Sequence, residues 1–326
     1  MSEFFNTPVA VFTFNRPELT QRLLDVLSKI KPRRILVVSD GARPDVPGDA
    51  EKCHAVRRLF DDLNWECLIE KNYAESNMGS FARNSSGLNW VFENVEEAII
   101  LEDDCLPDPS FFPYCAELLE KYRFDPNIGL ISGNNFLNLE RKSNLPSYFF
   151  SSYATTWGWA SWRRTWQQVD LSMPYWPAFR DSGELRAAVH SREEVKYWKK
   201  IYNAIEKKKM KNAWDYQLML ACFKFNMLTI VPSVNLVSNI GYGPDATHCK
   251  NASSPLNDIP RGKLEFPLSH KEKVRANGLT DYKIFSVRFQ FKKRSLYIRF
   301  RGNLLRVKRI LNRIFQSGKK MVVGRP

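Results

Sequence analysis

Short apolar runs alternate with segments of helical periodicity through the first third of the chain. A run of four to eight apolar residues is typical of a buried strand, whereas leucines three and four residues apart indicate a helix that buries one face. This alternation predicts an α/β fold with a Rossmann-like, mostly parallel sheet flanked by helices, because parallel strands need long crossovers. The expected strands are 8–15, 34–39, 65–70 and 98–101, and the expected helices are 17–30, 50–63, 77–92 and 109–122.

The rest of the chain is expected to extend the sheet and to add a helical segment at 184–211. Four tryptophans occur between residues 157 and 166. Trp159, Trp162 and Trp166 keep helical spacing, which favours core packing. Trp157 precedes that stripe and is the better candidate for a ligand contact. The further expected strands are 128–133, 148–150 and 228–232, and another helix is expected to open at 212.

Polar residues follow three of the expected strands at the point where each strand ends. The first strand leads to Asn15 and Arg16, the second to Asp40 and Gly41, and the fourth to the acidic run 102–104. In open α/β sheets, ligands bind beyond the carboxyl ends of the strands. Neither a GxGxxG fingerprint nor a P-loop occurs, so no dinucleotide or P-loop site is predicted. The sequence therefore predicts a ligand site of another kind at this edge.

The acidic run consists of Glu102, Asp103 and Asp104. Adjacent carboxylates repel one another, and burial raises that cost unless a cation lies nearby. Mg²⁺ and Mn²⁺ take oxygen ligands, often one or two carboxylates together with substrate phosphates. Two interpretations stay open from these residues alone. One is a metal–nucleotide site, and the other is a solvated acidic turn that caps the helix beginning near residue 109.

Two more residues are candidates for chemistry. Asp215 follows Trp214 where a helix opens, a position that suits either a catalytic base or an ordinary helix cap. His248 lies in a loop at 238–255 that is rich in Gly, Asn, Ser and Pro. Such a loop can close on a ligand, although a single loop histidine is usually incidental.

Composition places the chain among globular proteins. It has 326 residues, of which 44% are hydrophobic and 26% are charged, so it is long enough for a large core. It has neither an 18-residue apolar run nor the basic and apolar start of a signal peptide, so a cytoplasmic location is expected. The six cysteines form no CxxC pair and are expected to be reduced thiols.

Nearly all of the net charge of +14 lies near the C-terminus. Residues 281–326 contain fourteen Lys and Arg against one acid, which leaves the preceding 280 residues close to neutral. Between 297 and 314, apolar residues recur at alternating steps of three and four among arginines and lysines, which predicts a basic amphipathic helix. Such a helix suits an anionic membrane surface. Packing on the catalytic domain is the alternative, and no nucleic-acid partner is expected. The expected domains are 1–255 and 256–326.

Six segments, taken together and in order, resemble the GT-A glycosyltransferases. They are most like the inverting branch that contains N-acetylglucosaminyltransferase I, and more loosely similar to bacterial family 2 sugar transferases. The most specific match is Leu-Glu-Asp-Asp at 101–104 followed by Pro-Ser-Phe-Phe at 109–112, with Glu-Asp-Asp in place of the commoner Asp-x-Asp. The matching segments are 9–16, 38–41, 77–87, 99–112, 156–166 and 214–218.

The resemblance implies a role for individual residues. Asp104 would hold a Mn²⁺ or Mg²⁺ ion, and His248 would be a further metal ligand on a loop that closes over the diphosphate. Asp215 would be the general base, with Trp157 and Trp214 in contact with the sugar or the acceptor. The implied nucleotide-sugar contacts are Asn15, Arg16, Asp40, Gly41, Asn77, Gly79, Arg83, Glu102 and Asp103.

The function that the resemblance implies is metal-dependent glycosyl transfer with inversion. The donor would be a nucleotide-diphosphate sugar, a UDP-sugar above all, and the acceptor a lipid-linked or saccharide hydroxyl. Surface polysaccharide or glycolipid synthesis at the inner face of the cytoplasmic membrane is the expected setting. One alternative is a sugar-1-phosphate nucleotidyltransferase, although residues 13–20 lack its glycine-rich basic loop. Another is a membrane or nucleic-acid binding module without enzymatic activity, which leaves the strand-end carboxylates unexplained.

Overall fold

The structure is a computed structural model that describes residues 4–137, 146–210, 214–243, 251 and 253–291. The chain divides into two compact units, Met1–Arg288 and Phe289–Pro326. The sheet, the helices and the candidate site described below all belong to the first unit. The expected amphipathic helix at 297–314 lies outside the described residues. The expected domain boundary at 255 stays a prediction, and described residues beyond it, such as Leu256, Leu264 and Phe285, are buried.

The described elements alternate between strands and helices through the first third of the chain, as the pattern predicts. The strands are β1 (Val9–Thr13), β2 (Arg34–Ser39), β3 (Leu68–Tyr73), β4 (Glu97–Glu102), β5 (Cys105–Pro107), β6 (Ile128–Ser132), β7 (Tyr148–Ser151), β8 (Trp159–Trp162), β9 (Leu228–Pro232) and β10 (Val237–Asn239). The helices are α1 (Pro17–Ile30), α2 (Asp49–Arg58), α3 (Ser80–Asn94), α4 (Phe111–Lys121), α5 (Arg163–Trp166), α6 (Trp176–Ser182), α7 (Glu184–Ala188), α8 (Arg192–Glu206), α9 (Trp214–Lys224) and α10 (Gly278–Arg288).

An eight-stranded sheet in the order β3-β2-β1-β4-β8-β6-β9-β7 forms the centre of the fold. The first four strands are parallel, with β1 between β2 and β4. Strand β8 is antiparallel to both β4 and β6, β9 is parallel to β6, and β7 is antiparallel to β9. The architecture is therefore mixed α/β with a large, mostly parallel sheet flanked by helices, and the expected fold class is confirmed.

A second, two-stranded sheet pairs β5 with β10 in antiparallel orientation. Asn239, at the end of β10, is in register with Cys105, which directly follows the acidic run. This pairing joins two parts of the chain that are more than a hundred residues apart. It brings the residues after β10 to the carboxyl end of β4.

Local sequence signals explain where several helices begin and which face they bury. Pro17 opens α1, because a proline at the first helical position loses no helical hydrogen bond. The buried face of α1 contains Leu23, Leu24 and Leu27. Ser191 caps α8 by accepting a hydrogen bond from the backbone N–H of Glu194 at 3.1 Å. None of the helices in the described part of the chain combines the length and the apolar character that a bilayer crossing requires.

Several local predictions need correction. Helix α2 ends at Arg58 rather than near residue 63, and the third strand begins three residues later than expected, at Leu68. The expected loop from 238 begins inside β10. The helical spacing of Trp159, Trp162 and Trp166 is misleading, because the first two lie on strand β8. Core packing of these tryptophans is nevertheless confirmed, since all three are buried.

Candidate functional site

The predicted polar edge exists, because β1, β2 and β4 run in parallel. Their carboxyl ends therefore lie side by side. Arg16 follows β1 and Asp40 follows β2, while Glu102 ends β4 and leads into Asp103 and Asp104. Each apolar strand is buried in the sheet, and the polar residue that follows it lies at the carboxyl edge of the sheet, which forms the rim of the candidate site.

The acidic turn, which consists of Glu102, Asp103 and Asp104, is fixed to the end of β1 by hydrogen bonds. The backbone N–H of Asp103 donates to the carbonyl oxygen of Phe12 at 2.9 Å. The backbone N–H of Phe14 donates in return to Oδ2 of Asp103 at 3.2 Å. Asp103 is therefore buried, whereas Glu102 and Asp104 are partly open to solvent.

Arg16 provides positive charge to the acidic turn. Its Nη1 donates to Oδ2 of Asp104 at 2.8 Å and lies 3.6 Å from Oδ1 of Asp103. Burial and the neighbouring charge of Asp104 nevertheless raise the pKa of Asp103 to about 7. Burial and the charges of Asp104, Asp103 and Asp215 raise the pKa of Glu102 to about 8. Arg16 therefore offsets only part of the negative charge of these three carboxylates.

Asp104 is also held from the opposite side by the end of β10. Asn239 donates from Nδ2 to Oδ1 of Asp104 at 3.1 Å, and the backbone N–H of Ile240 donates to the carbonyl oxygen of Asp104 at 2.8 Å. Gly241 passes so close that a Cβ atom there would lie 2.2 Å from Oδ2 of Asp104. Sequence reasoning missed Asn239, because the residue was expected to lie in the loop at 238–255.

Asp40 joins two loops of the rim by hydrogen bonds, one after β2 and one before α3. Its carboxylate accepts the backbone N–H groups of Gly41, Met78 and Gly79 at 2.8, 2.9 and 3.0 Å. It also accepts Nδ2 of Asn77 at 3.2 Å, and the same nitrogen donates to the carbonyl oxygen of Gly41 at 2.9 Å. The predicted nucleotide contacts on these two loops are thus brought together. In this geometry, Asp40 shapes the loop before α3.

Asn15 and Arg83 are both bound to other protein groups. Asn15 donates from Nδ2 to Oδ1 of Asp49 at 2.6 Å, and Arg43 also binds that carboxylate and holds its pKa well below the usual range. Arg83 is buried and donates to the side chain of Asn72 at 2.7 Å. Their contacts with a nucleotide stay predictions. In this structure both side chains hold neighbouring protein segments together by hydrogen bonds.

Asp215 lies in the first turn of α9, on an element separate from the acidic turn. Its charge is close enough to Glu102 to raise the pKa of that carboxyl. Trp214, its neighbour, is buried and packs against Trp159 with ring centroids 6.2 Å apart. The site thus has an acidic turn on the sheet and a second carboxylate on a helix.

An aromatic cluster adjoins Asp215. Trp157 is half-buried and lies edge-on to Phe136 and Tyr242, with ring centroids 5.1 and 6.0 Å apart. The guanidinium of Arg288 lies 5.3 Å from the centroid of Trp157, and its Nη2 lies 3.9 Å from Oδ2 of Asp215. Sequence analysis did not identify Phe136 or Arg288 as site residues, because neither is near the predicted residues along the chain.

Asp104 is the metal ligand that the resemblance implies, and in this structure its carboxylate accepts hydrogen bonds from Arg16 and Asn239. No group of three or more His, Cys, Asp and Glu side chains suited to a metal ion is found among the described residues. Mg²⁺, however, is commonly bound through one or two carboxylates, with waters and substrate phosphates completing the shell. His248, the other predicted ligand, lies outside the described residues. A metal here would therefore need oxygen ligands from a substrate.

Comparison with known proteins leaves the family unassigned. No family model matches the chain, and no curated protein matches it. Among solved structures, a mannosyltransferase from Pyrobaculum calidifontis in complex with GDP-Man and Mn²⁺ has a similar backbone. The likeness covers 68% of this chain and 74% of that chain, with 14% identity and a TM-score of 0.35. A likeness at this level carries no argument about activity, so the function is inferred from the site's own geometry.

Proposed function

We propose that the protein is a metal-dependent glycosyltransferase, which moves a sugar from a nucleotide-diphosphate sugar to a hydroxyl acceptor with inversion. The observation that supports this best is the placement of two acidic groups on different elements. The acidic turn after β4 contains Asp104, and α9 contributes Asp215, close enough to influence Glu102. Asp104 suits a cation that binds a diphosphate, and Asp215 suits the hydroxyl group of an acceptor.

The donor side is the acidic turn. Asp104 is only partly buried, with 14% of its side chain exposed, and a carboxylate can take further ligands besides Arg16 and Asn239. A bound Mn²⁺ or Mg²⁺ would supply Lewis-acid stabilisation of the leaving diphosphate. Asn239 and Gly241 keep Asp104 in place. In the proposed complex, Glu102 and Asp103 contact the ribose or the sugar. The loop at 77–79, held by Asp40, borders the same rim.

The acceptor side is the helix. In the proposed reaction, Asp215 accepts the proton of the acceptor hydroxyl as its oxygen attacks the anomeric carbon. The bond between that carbon and the phosphate oxygen breaks, and the diphosphate leaves with the electron pair. Attack from the side opposite the leaving group gives inversion. Trp157, half-buried beside Asp215, would provide a face for a sugar ring.

The acceptor class and the cellular setting remain proposals that the sequence supports. A lipid-linked acceptor would suit a protein whose last 46 residues carry nearly all of its net positive charge. We propose that this C-terminal segment attracts the chain to an anionic membrane surface, in the cytoplasm, for surface polysaccharide or glycolipid synthesis. Co-sedimentation of the full chain with phosphatidylglycerol vesicles tests the attraction, and unchanged binding after removal of 292–326 would contradict it.

Calorimetry of nucleotide binding tests the donor site directly. UDP, GDP, CDP and dTDP would each be titrated with and without Mn²⁺ into the wild type, Asp104→Ala and the control Asp62→Ala, which removes an exposed acid after α2. We expect binding of one nucleotide that needs the metal, is lost in Asp104→Ala and persists in Asp62→Ala. Absence of metal-dependent binding for all four nucleotides would refute the proposal.

A further inference from the structure

The C-terminal helix α10 reaches the acceptor side of the candidate site. Its last residue, Arg288, places Nη2 3.9 Å from Oδ2 of Asp215. Its guanidinium also lies 5.3 and 5.5 Å from the ring centroids of Trp157 and Phe136. These distances are within the range of cation–π attraction, so one cation contacts both the candidate base and the aromatic face next to it.

Buried contacts at the start of α10 fix the position of the helix. Asp281 is fully buried, and its carboxylate accepts hydrogen bonds from Ser151 Oγ at 2.6 Å and from the backbone N–H of Ser152 at 3.0 Å. His190 Nε2 lies 2.9 Å from the same carboxylate. These bonds tie α10 to the end of β7 and to the segment between α7 and α8.

The geometry of α10 places Arg288 at the candidate site. Asp281 and Arg288 are seven residues apart, which is close to two full turns, so they leave α10 on the same face about 10 Å apart. The side chains of Ile284 and Phe285, also buried, hold this face against the body of the protein. The position of the guanidinium is therefore set by the packing of the whole helix.

The charges around the site make this placement significant. Asp215 lies near the carboxylate of Glu102, whose own neighbours are Asp103 and Asp104. Arg16 contacts Asp103 and Asp104 on the donor side. On the acceptor side, Nη2 of Arg288 lies 3.9 Å from Oδ2 of Asp215. Arg16 and Arg288 lie near the two ends of the sequence of the first compact unit.

We propose that Arg288 is a positioning residue of the active site, which orients the carboxylate of Asp215 and covers one face of Trp157. The inference rests on the glycosyltransferase function proposed above. It makes α10 part of the acceptor side, so the segment at 278–288 is required for transfer and not for donor binding. Lys283 lies on the exposed face of the same helix and serves as a matched control.

The test uses the full chain with the nucleotide that calorimetry selects and the corresponding nucleotide-sugars. Nucleoside-diphosphate release would be measured with water and simple saccharides as acceptors, for the wild type, Arg288→Gln, Arg288→Ala, Arg288→Lys and Lys283→Gln. We expect Arg288→Gln to keep metal-dependent nucleotide binding and the donor KM within about twofold, while kcat falls about tenfold or more. Added guanidinium ion should restore part of the kcat of Arg288→Ala, and Lys283→Gln should match the wild type.

The outcomes separate this inference from the proposed function. Loss of kcat without rescue by guanidinium ion, or a kcat within about twofold of the wild type in Arg288→Gln, would overturn the positioning role while the donor site stands. Equal losses in Lys283→Gln would also overturn it, because the effect would then belong to the stability of α10. A wild type that binds none of the nucleotides removes the proposed function first, and the inference with it.

Discussion

Asn239 donates from Nδ2 to Oδ1 of Asp104 at 3.1 Å across a separation of 135 residues. The bond exists because β10 pairs with β5 directly after the acidic turn. Asn239 also accepts the backbone N–H of Gly241 at 3.0 Å through its own Oδ1, so it is itself held in one orientation. The acidic turn is therefore supported from both sides, by Arg16 and by the end of β10.

Removal of the Asn239 side chain should weaken metal-dependent nucleotide binding without unfolding the protein. Partners that hold a metal-binding carboxylate typically affect metal affinity by about 10- to 100-fold, and we expect Asn239→Ala to fall in that range. Calorimetry with Mn²⁺ and the selected nucleotide measures it. Asn64→Ala, an exposed asparagine elsewhere in the described chain, is the control. Unchanged affinity in Asn239→Ala would show that the bond does not position Asp104.

Two glycines of the rim should respond differently to alanine. At Gly241 the added Cβ would lie 2.2 Å from Oδ2 and 2.5 Å from Cβ of Asp104, so the Asp104 side chain and the backbone that carries it would have to shift together. At Gly41 it would lie 2.4 Å from the backbone carbon of Ser76, which cannot move alone. We expect Gly241→Ala to lose metal-dependent nucleotide binding, because this shift displaces Asp104.

Gly41→Ala should instead lower the free energy of unfolding by about 1–3 kcal/mol, as other overpacked sites do. Thermal unfolding and nucleotide calorimetry on both variants would separate the two effects. Metal-dependent nucleotide binding that persists in Gly241→Ala would contradict the expected displacement of Asp104.

Trp157 and Trp159 provide a comparison between a site tryptophan and a core tryptophan. Trp159 is 2% exposed on β8, and we expect Trp159→Ala to cost about 3–5 kcal/mol of stability. Trp157 is half-buried beside Asp215, so Trp157→Ala should cost less stability but reduce saccharide-dependent turnover. Denaturant unfolding and acceptor kinetics measure the two quantities. Equal turnover in Trp157→Ala and the wild type would remove Trp157 from the acceptor side.

The pair of His190 and Asp281 should make stability depend on pH. Hydrogen bonding to Asp281 raises the pKa of His190 above its ordinary value of 6.5, against the opposing effect of burial. Asp281 from α10, Glu194 from α8 and Arg186 from α7 are the charged groups that act on it. The protonated imidazole therefore stabilises the fold fully below pH 6.5, and that contribution is lost as pH rises through the folded-state pKa.

The measurement is the melting temperature of the wild type and of His190→Gln from pH 5.5 to 9. We expect the wild type to melt at a higher temperature than His190→Gln at the acidic end of this range. The difference between the two melting temperatures should shrink steadily as pH rises. His54→Gln, which changes an exposed histidine on α2, is the control. A difference that stays constant across the range would show that the charge of His190 does not contribute.

Much of the sheet could be predicted because its signals are local. The bounds of β2 and β9 agree with the apolar runs, and Pro17 and the leucines after it place α1. The predictions failed where tertiary packing decides the local structure. Trp159 and Trp162 have helical spacing, yet they lie on β8, which is buried between β4 and β6. A buried strand is apolar on both faces, so spacing alone does not distinguish it from a buried helix.

By itself, the sequence determined the parallel half of the sheet and the polar residues at its carboxyl edge, since each strand and the turn after it are encoded by neighbouring residues. Arg16, Asp40 and Asp104 were found in this way. Only the tertiary structure decided what surrounds them: Asn239 bound to Asp104, and Arg288 beside Asp215. These contacts join residues that are 135 and 73 positions apart. They depend on the path of the whole chain, which no local pattern of hydrophobic and polar residues records.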